Sequence, residues 1–230
     1  MNMSKYFCAA AIAFCAVAPP AAAATVYSSE ASFVAAAGTA KATLPSFLAP
    51  AGSFNTAPFA FSSDAGQTFV IDTSVYGQAI SGEDNLLISG YESQTLVSSI
   101  PLYAFGLQIF QPSNAAPVSG PNGVACYTTC DSGSFTIALF QGAAIVDSFT
   151  FTPVNNTVEF HGYAGSTPFT RIRINDDLGT IDNEYFATYR YATQPVPELS
   201  TSALLVVGLA LILIANKRRG AFVRVVPTAA

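Results

Sequence analysis

The chain has one histidine, His161, and nine lysines and arginines against fourteen acids in 230 residues. A Ser-His-Asp hydrolase would have to use that single histidine as its base. No Gly-x-Ser-x-Gly accompanies it; the nearest string is Gly162-Tyr163-Ala164-Gly165-Ser166. His161 follows Phe160 in a strand-like pattern and reads as a strand histidine. There is no P-loop and no Gly-x-Gly-x-x-Gly, so nucleotide phosphates have no glycine cradle. Carboxylates are numerous enough for a glycosidase pair, but nothing singles one pair out. The chain reads as a non-enzyme.

Bases are scarcest in the middle of the chain. From Thr25 to Gln194 there are thirteen acids and four bases (Lys41, Arg171, Arg173 and Arg190), a net charge of −9. An acidic body without a basic patch argues against nucleic acid and against charge-driven binding to anionic lipid. It is compatible with neutral glycans, cations or a cell-surface matrix. Cysteine is also rare. Cys8 and Cys15 fall in the first apolar stretch, leaving Cys126 and Cys130 in the string Cys-Tyr-Thr-Thr-Cys. Zinc would need two more ligands, and the histidine supply is one. In an exported chain the pair is expected as a disulfide, with free thiols as the alternative. A loop this small gains little stability from the bond, so its role would be to shape the stretch from Asn114 to Ser134.

What is present at the two ends concerns destination. Lys5 gives a positive start, Tyr6 to Ala18 an apolar run, Pro19-Pro20 a break, and Ala21 to Ala24 small residues for cleavage. This predicts a secretory signal peptide over 1–24. At the other end, Pro195-Val196-Pro197-Glu198-Leu199-Ser200-Thr201 leads into an uninterrupted apolar run from Ala203 to Ala215, then Lys217-Arg218-Arg219. From Leu199 to Asn216 a helix would be about 27 Å long at about 1.5 Å per residue, near the thickness of a hydrocarbon core of about 30 Å. No polar stripe interrupts it, as a soluble core helix would require. The basic cluster resists translocation and predicts a cytoplasmic end, with the preceding body outside.

Short motif, apolar helix and basic stop together resemble the PEP-CTERM sorting domain. That family's motif is Pro-Glu-Pro; here Val196-Pro197-Glu198 is followed by Leu199 and Ser200. The resemblance implies a substrate of exosortase, a membrane-embedded cysteine protease–transpeptidase. Such a chain is held in the inner membrane with a periplasmic body, and released to the cell surface or outside after processing.

The body reads as strands. Tyr103, Phe105, Leu107 and Ile109 alternate, as do Phe135, Ile137 and Leu139. Gln141-Gly142 turns the chain, and Ile145 to Phe151 returns. Val158 and Phe160 form a short strand. Further on, Thr170, Ile172 and Ile174 point one way, with Arg171 and Arg173 the other. Tyr185, Ala187, Tyr189 and Tyr191 close the domain, and the cluster Gly162 to Pro168 reads as a connection. Only Ser28 to Ala37 reads as helix, capped by Ser28 or Ser29, with Phe33 inward. The order Phe-Gly-Leu-Gln-Ile-Phe, Glu-Phe-His-Gly-Tyr, Pro-Phe-Thr-Arg-Ile-Arg-Ile and Ile-Asp-Asn-Glu-Tyr-Phe over about Ile100 to Ala192 looks like the jelly-roll ectodomain of PEP-CTERM surface proteins.

Oxygen ligands crowd the run from Asn175 to Glu184. Asp176, Asp177 and Asp182 are candidates for a structural calcium, and no other cofactor is expected; the alternative is a turn whose side chains satisfy their own backbone. Tyr163, Tyr185, Tyr189 and Tyr191 read either as core or as a sugar-stacking face. The expected architecture is a mainly β, jelly-roll-like β-sandwich over 25–194, behind the signal peptide. A sorting segment follows at 195–219 (motif 195–201, membrane helix about 199–216, stop 217–219), with a short cytoplasmic tail at 220–230. The expected function is a cell-surface or matrix protein with a structural or adhesive role. Its partners would be exosortase, the inner membrane before processing, and exopolysaccharide or another glycan. The alternative is a carbohydrate-binding module on the same scaffold; the third reading is a small secreted hydrolase.

Overall fold

A computed structural model describes residues 24–64, 67–72, 80, 82–89, 92–112, 133–177, 184–195 and 209. Residues 23–198 form one unit. The remainder, 1–22 with 199–230, forms a second, in which only Leu209, a helical residue, is described. Among the described residues no helix is long and apolar enough to cross a membrane. The signal peptide, the sorting motif Val196 to Ser200, the basic stop Lys217 to Arg219 and the Cys126–Cys130 pair all lie outside the described residues.

Among the described residues the body is mainly β, an antiparallel sheet of twelve strands with one short helix. In chain order these are β1 (Thr25–Tyr27), α1 (Glu30–Ala37), β2 (Ala40–Lys41), β3 (Phe47–Ala51), β4 (Ser53–Thr56), β5 (Phe59–Ser63), β6 (Thr68–Asp72), β7 (Leu86–Ser89), β8 (Gln94–Phe110), β9 (Phe135–Gln141), β10 (Ala144–Phe151), β11 (Val158–Asp176) and β12 (Tyr185–Ala192). Two strands organise the rest. The first half of β8 pairs with β5 and with the second half of β11; its second half pairs with β12 and with the first half of β11. The β8–β11 register shifts between Ala164 and Phe169 and again before Arg171, where both strands pass from one half to the other. The sheet therefore folds over itself. One layer holds β1, the first half of β11, the second half of β8, β12, β2, β7, β6 and β3; the other holds β10, β9, the second half of β11, the first half of β8, β5 and β4.

The two layers meet in one aromatic core, as in a β-sandwich whose strands switch sheets at a bend. Phe61 of β5 sits 5.1 Å from Tyr189 of β12 between ring centroids, and Phe59 lies 5.6 Å from Tyr191. Phe135 of β9 lies 5.9 Å from Phe186. Ile137, Leu139, Ile172 and Ile174 are fully buried against Phe105, Leu107 and Ile109.

The structure corrects three details of the sequence reading. The stretch from Gly162 to Pro168 is not a connection but the centre of the single strand β11. Strand β8 begins at Gln94, well before Tyr103. The four residues of β12 do not share a face. Tyr185 and Ala187 lie with Phe110 and Leu87, whereas Tyr189 and Tyr191 join the main core. The cause is a bulge: Thr188 has φ of 50° and the register with β8 shifts between Ala187 and Arg190. One extra residue reverses the inward and outward parity of the strand.

The outer face of the first layer is covered by α1. Ser29 caps the helix, its hydroxyl accepting from the Ser32 N–H at 3.4 Å. Gly38 ends it in the left-handed region, at φ 58°, its N–H donating to the Val34 carbonyl. Phe33 is fully buried against Phe160, Ala104 and Ala164. It can approach because Gly106 and Gly162 face each other across β8 and β11. A Cβ on Gly106 would meet the Phe160 ring at 2.5 Å. Glu30 adds a polar tie, accepting from Gln108 Nε2 at 2.9 Å and from Arg190 Nε.

Candidate functional site

The outer face of the second layer differs from the first. No described element lies over it, and its side chains come from five neighbouring strands held in register. One cross-strand row runs Ala60, Val97, Arg171, Phe140, Ile145; the next runs Ser62, Thr95, Arg173, Ala138, Ser148; a third runs Asn175, Thr136, Thr150. Five strands at about 4.8 Å spacing make a platform about 19 Å wide. Its inward partners, Phe61, Leu96, Ile172, Ile174, Ile137 and Leu139, are fully buried, which pins the register and holds this set outward.

Chemically the rows alternate. The first is apolar apart from one guanidinium, and Val97 is 46% exposed while Ile145 is 64% exposed. Arg171 lies over the Phe140 ring, 4.2 Å from its centroid. Hydroxyls dominate the next two rows. Thr136 Oγ1 and Thr150 Oγ1 lie 2.8 Å apart, and Ser62 Oγ donates to the Thr95 carbonyl at 3.4 Å. Arg173 Nη2 lies 3.4 Å from Asp64 Oδ2, with both side chains nearly half exposed. A surface with apolar carbon beside rows of hydroxyls and guanidinium N–H groups matches a flexible, hydroxyl-rich chain better than an apolar ligand.

Two of the three calcium candidates are described. Asp176 is buried at the end of β11, and its N–H donates to Ser93 Oγ at 3.2 Å. Asp177 is exposed. Its Oδ2 accepts from Ser134 Oγ and Thr136 Oγ1, and its Oδ1 from Asn175 Nδ2. Two of those bonds come from β9 and its approach, so they tie the end of β11 to the neighbouring strand. Asp182 lies outside the described residues. Among the described residues no group of three or more His, Cys, Asp or Glu is placed to hold a metal ion.

The tyrosines belong to the core. Tyr163, Tyr185 and Tyr189 are buried, and Tyr189 donates to Gln94 Oε1 at 3.1 Å. Burial pushes the Tyr163 hydroxyl up to about 12, helped by the Asp147 carboxylate. His161 is half-buried and stacks on Phe151, with ring centroids 3.6 Å apart. Burial lowers its pKa, against the opposing effect of Glu159 at 3.4 Å. This pairing holds an edge of the sandwich. It borders a cavity of about 450 Å³ lined by Ser28, Glu30, Gln108, Glu159 and Phe160 among others. A second cavity, of about 310 Å³, is lined in part by the Lys41–Glu83 ion pair.

No protein-family model matches the chain, and no curated protein matches it. Among solved structures, a carbohydrate-binding module of family 29 is 12% identical, over 76% of this chain and 92% of that one, with a TM-score of 0.32. A mutant of the module CBM29-2 in complex with cellulohexaose is 15% identical, over 77% and 95%, with the same TM-score. An arabinose-bound GH51 α-L-arabinofuranosidase is 14% identical over 66% of this chain and 26% of that one, with a TM-score of 0.39.

Proposed function

We propose that the chain is an exported, membrane-tethered β-sandwich that holds glycan on the outer face of its second layer. The reading rests on one observation, the uncovered five-strand platform in which an apolar row lies beside rows of hydroxyls. A pyranose has an apolar C–H face and a rim of hydroxyls, and needs both kinds of surface side by side. The rigid core beneath holds the platform without an ordering cost on binding. Delivery follows from the termini: the signal peptide exports the body, the helix over 199–216 holds it at the inner membrane, and exosortase cuts near Val196-Pro197-Glu198. The work is adhesive, linking the envelope to its polysaccharide in a jelly-roll-like scaffold.

The test is retention of the full-length protein on a panel of immobilised polysaccharides, beside Val97→Asp. Val97 points to solvent, so the variant should fold, with a melting temperature near wild type. Retention of the variant should fall by about tenfold or more, equivalent to about 1.4 kcal/mol. Undiminished retention in a folded variant would move the glycan site elsewhere.

A further inference from the structure

We infer that this face selects linear polysaccharides carrying carboxylates, and that Arg171 and Arg173 read the charge; the inference rests on the glycan reading above. The body carries an acidic surplus, so a polyanion is repelled from most of its surface. The four bases between Thr25 and Gln194 are unevenly used. Lys41 is bonded to Glu83 and Arg190 to Glu30, both on the other layer. The remaining two stand on one strand of the platform, two residues apart, about 6.6 Å at about 3.3 Å per residue.

Neither is consumed. Among the described residues Arg171 is the base outside any ion pair; it stacks on Phe140 instead. The ring contact holds the guanidinium on the half-buried Arg171 without engaging it in an ion pair, and a guanidinium can take a carboxylate through two parallel bonds. Arg173 meets Asp64 through one nitrogen at 3.4 Å, with both side chains nearly half exposed. Such a pair is worth little, and a ligand carboxylate can replace it. Among the described residues two acids border this platform. Asp64 is the partner just named. Asp177 lies four residues beyond Arg173 along β11, about 13 Å away, with its oxygens engaged by Ser134, Thr136 and Asn175. Those bonds hold its carboxylate against the third row, so Arg173 stands between it and Arg171.

A uronate chain meets these requirements. Its carboxylates would lie on Arg171 and Arg173, its C–H faces on Val97, Ala60 and Ile145, and its hydroxyls on Thr95, Ser62 and Ser148. Nucleic acid fits less well. Among the described side chains of the platform rows the one ring, Phe140, lies under Arg171, so no aromatic face stands open for a base to stack on.

The experiment is affinity electrophoresis of the full-length protein, in mild detergent, through gels containing polygalacturonate, its fully methyl-esterified form, a neutral linear β-glucan, or single-stranded DNA. Polygalacturonate should retard the protein about tenfold more strongly than the ester. That preference should fade with added sodium chloride and vanish in R171Q/R173Q. Arg173 is exposed and Arg171 half-buried on the outer face, and the salt titration of the wild type gives the same test without a variant. Equal retardation by acid and ester would overturn charge selection and leave the glycan reading standing. Equal retardation by single-stranded DNA would overturn carbohydrate selection. No retardation in any gel would overturn both.

Discussion

At the scale of single residues, two contacts carry measurable consequences. Gly106 exists because the Phe160 ring and the Gly162 backbone occupy the space a side chain would need, at 2.5 and 3.1 Å from where its Cβ would lie. Gly106→Ala should therefore cost about 1–3 kcal/mol in urea denaturation, the usual penalty of overpacking. Gly52→Ala, whose nearest neighbours would be at 3.8 and 4.0 Å, is the control and should stay within about 0.5 kcal/mol. Tyr163 supplies a pH dependence. Its folded pKa is raised to about 12, above the ordinary tyrosine value of 10.0. The folded state then keeps a proton that the unfolded chain loses. The stabilisation is intact below the unfolded pKa and declines as pH rises from about 10 to 12. Denaturation curves across that window should fall less steeply in Tyr163→Phe. A wild-type curve no steeper than the variant's would contradict the assignment.

At the scale of elements, α1 is a short helix whose place depends on one aromatic side chain. Phe33 is fully buried over the glycine pair, while Glu30 only pins the helix start to Gln108 and Arg190. Phe33→Ala should cost about 3–5 kcal/mol; a change under about 1 kcal/mol would mean that α1 is held by other contacts. This helix and its Ser29 cap are legible in the sequence, as are β9, β10 and the opposed sets Ile172/Ile174 and Arg171/Arg173. What is not legible has a physical cause in each case. The first half of β8 hides because Gln94 is buried and bonded to Tyr189, so polar residues break the alternation. The bulge at Thr188 hides because the sequence shows no glycine to mark it. The platform is invisible as a unit, since Ala60, Val97, Phe140 and Arg171 become neighbours only through pairings between strands far apart in the chain. The sequence offers Arg171 and Arg173 as the outward residues of a strand, and nothing more of the site.

At the scale of the whole molecule, the proposed destination and the uncovered face belong together. A reporter fused after Gln194 should be active outside the cytoplasm, and activity inside would reverse the proposed topology. The acidic body, the two layers and the uncovered face then make one claim, that glycan lies across β5, β8, β11, β9 and β10. The most direct measurement is photocrosslinking of the full-length protein with a diazirine-bearing polygalacturonate, followed by peptide mass spectrometry. Adducts should concentrate in peptides carrying residues 60–62, 95–97, 136–140 and 171–175. Adducts confined to the cavity beside α1 or to the one at Lys41 and Glu83, with the platform unlabelled, would contradict the account.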